Sequence, residues 1–100
     1  MRLLPPDAVA YRRTAELSES TIPAALRRNH ATKAGVWCRI VVVAGALRYR
    51  ILGPAPEEHV LSPGHPGVVE PAVPHEIAPA GEVRFYVEFF RRQPKEPAKP

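Results

Sequence analysis

The sequence predicts an all-β fold, a single small sandwich or barrel, and three observations carry that prediction. Short apolar runs rich in β-branched and aromatic residues recur with turn signals at about 8–12-residue spacing. Thirteen prolines, well above the usual share, fall between those runs, where they suit stiff turns better than helices. No segment sustains a helical period beyond about two turns. One hundred residues suffice for one domain with one modest core.

Taken in order, residues 1–8 read as an irregular arm, 9–92 as the folded domain and 93–100 as a disordered tail. Val9 to Leu17 alternates weakly, Val9 and Tyr11 against Ala10 and Arg12, and predicts an edge-type first strand. Ser18 to Asn29 stays open between two readings. One is a short helix capped by Thr21 with Pro23 in its first turn; the other is a loop into a short strand ending at His30. Val36 to Ala44, with Ile40-Val41-Val42-Val43 at its centre, predicts a strand buried on both faces. Gly45 breaks it. Leu47 to Leu52 then alternates, Leu47, Tyr49 and Ile51 inward against Arg48 and Arg50 outward. The two runs predict a hairpin turning at Ala44-Gly45-Ala46.

Gly53-Pro54-Ala55-Pro56 predicts a second turn, Glu58 to Leu61 a short strand, and Ser62 to Gly67 a third turn. Val68 to Glu70 and His75 to Ala78 predict two short strands across Pro71-Ala72-Val73-Pro74. Ala80-Gly81 turns again before a long last strand, Val83 to Arg91, carrying Phe85, Tyr86, Phe89 and Phe90.

Net charge is +4 with a pI near 9.7. The arginines come mostly as pairs, Arg12-Arg13, Arg27-Arg28 and Arg91-Arg92. No recognition helix, zinc knuckle or stacking motif accompanies them, so solvated rims and protected strand edges are the reading, not nucleic-acid binding. The single cysteine, Cys38, rules out an internal disulfide and reads as a small buried hydrophobe. No apolar run suits a signal peptide or membrane span, so a cytoplasmic protein is the expectation.

Two histidines stand where the chain is stiffest. His75 follows a turn that Pro71 and Pro74 hold in a narrow range of backbone angles, so its ring points in one direction. His30 stands just before the strongest strand. The two are expected to converge inside the barrel, whereas His59 and His65, beside turns, read as surface residues.

With these residues laid out, the chain from about Tyr11 to Arg91 resembles the small cupin domain of the tellurite-resistance family. The resemblance rests on His30-x-Thr32-Lys33-x-Gly35-x-Trp37, Gly45-x-Leu47-x-Tyr49, Glu70-Pro71-x-x-Pro74-His75 and Phe85-x-x-Glu88-Phe89. It implies a single-domain cupin, a double-stranded β-helix or jelly-roll barrel, that pairs as a homodimer. It places His30 and His75 at cupin ligand positions. Thr32 stands where the pattern has a second histidine, and no carboxylate lies between Thr32 and Gly45.

Two imidazoles can hold Zn, Ni or Fe, and a third ligand is wanted for a stable site. Glu70, ending the strand before the turn, is the first candidate; Glu88 on the last strand is the second, as a ligand or a support to one. Lys33 and Arg39 would draw a small anionic ligand to the ion, with Trp37 beside them. Three functions follow. The first is a metal-binding cupin of stress tolerance that takes a small anion, tellurite being the one the family name implies. The second is a metal-dependent oxygenase of a small acid or thiol. The third is a metal-free binding or dimerisation module.

Overall fold

Two long antiparallel strands form the spine of the structure, a computed structural model that describes residues 1–28 and 30–93. These are β3 (Val36–Ile51) and β6 (His75–Arg92), preceded or separated by β1 (Ala8–Arg13), β2 (Leu17–Ser18), β4 (Glu57–Leu61) and β5 (Gly67–Val69). Among the described residues a single 3-10 turn, Ala24–Arg27, is the helical element. β3 and β6 pair from Val36↔Arg91 to Ile51↔His75. β1 and β2 lie along the free side of β6, and β4 and β5 along the free side of β3. All pairings are antiparallel, so the fold is all-β. Among the described residues no helix is long and apolar enough to cross a membrane.

The expected hairpin at Ala44-Gly45-Ala46 is corrected by this register. β3 runs straight through Gly45, with the pairing shifting between Val42 and Ala44 and between Gly45 and Leu47. Those shifts are bulges, which bend a strand and increase its twist. Gly45 has φ +82° and lies against the backbone of Glu82 and Val83, so it serves close strand approach and not chain reversal. Likewise Ala80-Gly81 does not separate two strands, because β6 continues through it.

The bends turn one face of the long pair inward. Cys38, Ile40, Val42, Leu47, Tyr49 and Ile51 from β3 meet Ile77, Val83, Phe85 and Val87 from β6. Burial of each such side chain contributes roughly 1.5–3 kcal/mol before entropy is charged against it. Ile22 is buried on the same cluster and Leu26 packs against it, so the segment before His30 covers the sheet. Thr21 does not cap the short turn there. Pro23 holds the cap position without a side-chain hydrogen bond, and the Thr21 hydroxyl accepts the Ser18 N–H at 2.7 Å.

Strand pairing does not close the sheet into a barrel. Among the described residues β1 pairs only with β6 and β4 only with β3, leaving two open edges. The arm over residues 1–8 is tethered, since Arg2 meets Glu70 at 3.4 Å. Of the expected tail over 93–100, residues 94–100 lie outside the described residues, and Gln93 donates its N–H to the Asp7 carbonyl at 2.9 Å.

Candidate functional site

The turn Pro71 to Pro74 sets up the first residue of the site. Ala72 sits at φ +59°, and Pro74 leads His75 directly into β6. His30 then bridges to His75, each residue donating its backbone N–H to the other's carbonyl at 2.7 Å. Side chains directly opposite on paired strands leave on the same side. The two imidazoles accordingly meet edge to face, centroids 5.3 Å apart and planes at 80°. Tyr49 approaches His75 from another side at 5.9 Å.

One ring nitrogen of His75 has an assigned task. Nδ1 lies 3.1 Å from the Val73 carbonyl oxygen, which can only accept, so Nδ1 carries the proton. Nε2 is left with a bare lone pair, the form in which imidazole ligates a metal or accepts a proton. Burial lowers the pKa of this ring below the ordinary imidazole value, against the Val73 hydrogen bond and with a smaller push from His30. His75 is therefore neutral at pH 7.

Thr32, where the family pattern has a second histidine, is instead a staple. Its hydroxyl donates to the Val36 carbonyl at 2.9 Å, and its oxygen accepts the Ala72 N–H at 3.3 Å. It thus ties the loop after His30 to the turn before His75. Its spacing from His30 flagged the position, but only the fold shows the task.

A small cavity of about 60 Å³ opens beside the pair, with His30, His75, Thr32, Cys38, Val87 and Phe89 among its walls. That is room for a water or two, or for a small ion with its ligands. Cys38 reaches it because it alternates with Trp37 and Arg39 along β3. Its buried thiol is pushed up to about 11, partly drawn back by the charge of Arg12, and stays protonated.

The other expected site residues are not gathered here. Arg39 and Glu88 are cross-strand partners on the opposite face of the sheet, joined at 2.8 and 2.9 Å. Trp37 pairs with Phe90 on that same face, and the Arg39 guanidinium lies 5.2 Å from the Phe90 centroid. Lys33 is exposed. The Glu70 carboxylate meets Arg2, while its carbonyl lies 3.4 Å from the Thr32 hydroxyl. His59 bonds Glu57 at 2.8 Å and His65 lies 3.3 Å from the Ser62 hydroxyl, both away from the pair.

The donor set can be set beside the geometry of a divalent ion. Two imidazoles on one tetrahedral ion, at about 2.0–2.1 Å each, place their centroids about 5 Å apart. The observed 5.3 Å agrees, and is also ordinary for an edge-to-face ring pair. Among the described residues no three His, Cys, Asp or Glu side chains come together as a ligand set. The separation is compatible with one ion shared by the two rings, and among the described residues no protein group supplies a third ligand.

Comparison with known proteins bears on the family and the fold. A family profile described as the TehB-like domain matches residues 12–87. No curated protein matches the chain. Among solved structures, TehB from Haemophilus influenzae superposes with a TM-score of 0.79 at 23% identity, over 87% of this chain. The match takes in 32% of that protein, so the chain spans about a third of its length. A protein from E. coli strain K12 is similar over 94% of this chain and 100% of its own, with a TM-score of 0.84 and 24% identity. Hydroxypropylphosphonic acid epoxidase from S. wedmorenis is a more distant likeness, with a TM-score of 0.56 and 20% identity over 83% of this chain and 43% of its own. At these identities the likenesses speak for the fold.

Proposed function

The chain belongs to the TehB-like domain family, and on that premise we propose that it is a small-ligand-binding domain of the tellurite-resistance class, built on a cupin-type jelly roll. Its site is the cavity beside His30 and His75. The pair holds a divalent transition metal through imidazole nitrogens, leaving the remaining positions of the ion to water and a small anion. The observation that carries this reading is the His75 ring itself. It is neutral, its Nδ1–H is given to Val73, and its bare Nε2 stands in a pair whose separation suits one ion.

An ion so held would supply positive charge to a cavity whose walls include neither lysine nor arginine. The protein's own part is to orient both rings through the paired backbone bonds, to keep His75 deprotonated, and to shield the site with Phe89, Val87 and Ile77. Two ligands give a weaker, more exchangeable site than three or four. Binding in the micromolar range or weaker is expected.

The test is equilibrium dialysis of Zn, Ni and Fe(II) against protein purified without an affinity tag, with His30→Ala and His75→Ala alongside. Uptake of one ion per chain, lost in both variants, supports the reading. Tellurite and other small oxyanions are then titrated with and without the ion. Uptake that survives both substitutions would overturn it. The second reading, a metal-free binding module, is favoured by one observation, the lack of a third gathered ligand among the described residues. Absence of uptake would leave that reading in place.

A further inference from the structure

Two arginines read from the sequence as solvated rim residues occupy a defined place beside the cavity. Arg12 faces Phe89 across β1 and β6, its guanidinium 4.4 Å from the ring centroid. The register shift between Ala10 and Arg12 brings Tyr11 to the same side, its ring 6.4 Å from Phe89. Arg91 in turn lies over Tyr11 at 4.3 Å. The four side chains form a run, Arg91, Tyr11, Phe89, Arg12, and Phe89 is also a wall of the His30–His75 cavity.

Among the described residues neither cation has a counter-charge, a state shared with Arg13, Arg27, Arg28 and Arg48; what sets Arg12 and Arg91 apart is their place on rings that run to the cavity wall. Arg2, Arg39, Arg50, Arg84 and Arg92 each pair with a carboxylate. Among the described residues no carboxylate forms an ion pair with Arg12 or Arg91. A guanidinium laid on an aromatic face is held in place while its N–H edges stay open to an anion. Such groups offer two parallel hydrogen bonds to a carboxylate or oxyanion.

We infer that Arg12 and Arg91 form an anion-selecting rim, drawing small oxyanions or carboxylates past Phe89 toward the His30–His75 pair. The inference rests on the cavity being the ligand site. It supplies the positive field that the sequence assigned to Lys33 and Arg39, which the fold carries elsewhere.

Cys38, the one cysteine of the chain, lines the same cavity and reports on that field without any metal. Full-length protein is alkylated at alkaline pH and low salt with iodoacetate, an anion, and with iodoacetamide, a neutral reagent of similar size. The ratio of the two rates is compared for wild type, Arg12→Gln/Arg91→Gln and the control Arg13→Gln/Arg84→Gln, which removes the same charge elsewhere. Arg13 stacks on Tyr86 on the other face, 4.7 Å from its centroid.

The ratio should fall about threefold or more in the first variant and little in the control, and added salt should erase the difference. An equal fall in both variants, or none in either, overturns the rim. So does a Cys38 inert to both reagents, because small molecules then do not pass Phe89. If the wild type takes up no metal, the site reading fails while the alkylation ratio still decides the rim. If metal uptake holds but the ratio is unmoved, only the rim fails.

Discussion

His30 and His75 exchange both backbone hydrogen bonds at 2.7 Å while their rings stand edge to face at 5.3 Å, so one local pairing sets the backbone and the side chains together. If the pair is the metal site, each ring contributes one of only two protein ligands. His75→Ala and His30→Ala should each lower affinity for the preferred ion more than tenfold, in the range that loss of a supporting or coordinating group produces. Glu70→Gln should change it less than about twofold, because that carboxylate faces Arg2. Isothermal titration of the three variants checks this; a large effect at Glu70 would show the carboxylate leaving Arg2 to join the ion.

How far the sequence could lead is visible in particular residues. The alternation of Leu47, Tyr49 and Ile51 against Arg48 and Arg50 was legible because strand period is local, and the structure buries the first set and exposes the second. A glycine between two apolar runs signals a turn and a bulge equally well; only its neighbours Glu82 and Val83, far along the chain, make Gly45 a bulge. The direction of His75 was legible from Pro74. His30 as its partner rests on a place just before the strongest strand and on the matched cupin positions, since no local pattern reports which distant residue a strand will meet. Closeness in sequence to His30 does not decide which face Arg39 takes, and strand alternation gives Glu88 two faces without saying which one is inside; both leave the face opposite Cys38.

His75 predicts an acid limb in stability. Its native pKa is depressed below about 6.5, chiefly by burial, so the unfolded chain binds the proton more readily. The contribution is fully present above the unfolded value and is lost as pH falls through it toward the native one. Thermal midpoints of wild type should therefore drop between pH 7 and pH 5 more steeply than those of His75→Gln, which does not titrate. Parallel curves for the two proteins would show that other groups set the acid limb.

Arg39 and Glu88 predict a stability effect without a binding effect. Their pair is half-buried between two strands, with the carboxylate the more enclosed partner. Glu88→Gln should cost on the order of 1 kcal/mol in urea denaturation, as loss of a charge-assisted cross-strand contact does. Ion uptake at the histidine pair should be unchanged, because the two residues leave the opposite face of the sheet. A loss of uptake at unchanged stability would assign Glu88 to the site.

Gly45 and Gly81 share a backbone conformation, φ +82° and +85°, but differ in surroundings, and that difference separates two costs. A side chain at either position pays for the left-handed region, about 1–2 kcal/mol. Around Gly81 there is nothing for a Cβ to meet, so Gly81→Ala should cost about that and no more. At Gly45 the Cβ would overlap the Glu82 carbonyl oxygen, and the obstacle is backbone of the paired strand, which cannot rotate aside. Relief requires β3 and β6 to separate at the bulge, losing ladder hydrogen bonds beside buried Val83 and Leu47. Gly45→Ala should therefore destabilise by about 2–5 kcal/mol, the conformational cost of about 1–2 plus about 1–3 kcal/mol of overpacking. In denaturant titrations the two midpoints should be well apart. Equal losses would mean that β3 bends away from β6 at the bulge with no cost in packing, and Gly45 would then be as replaceable as an open turn.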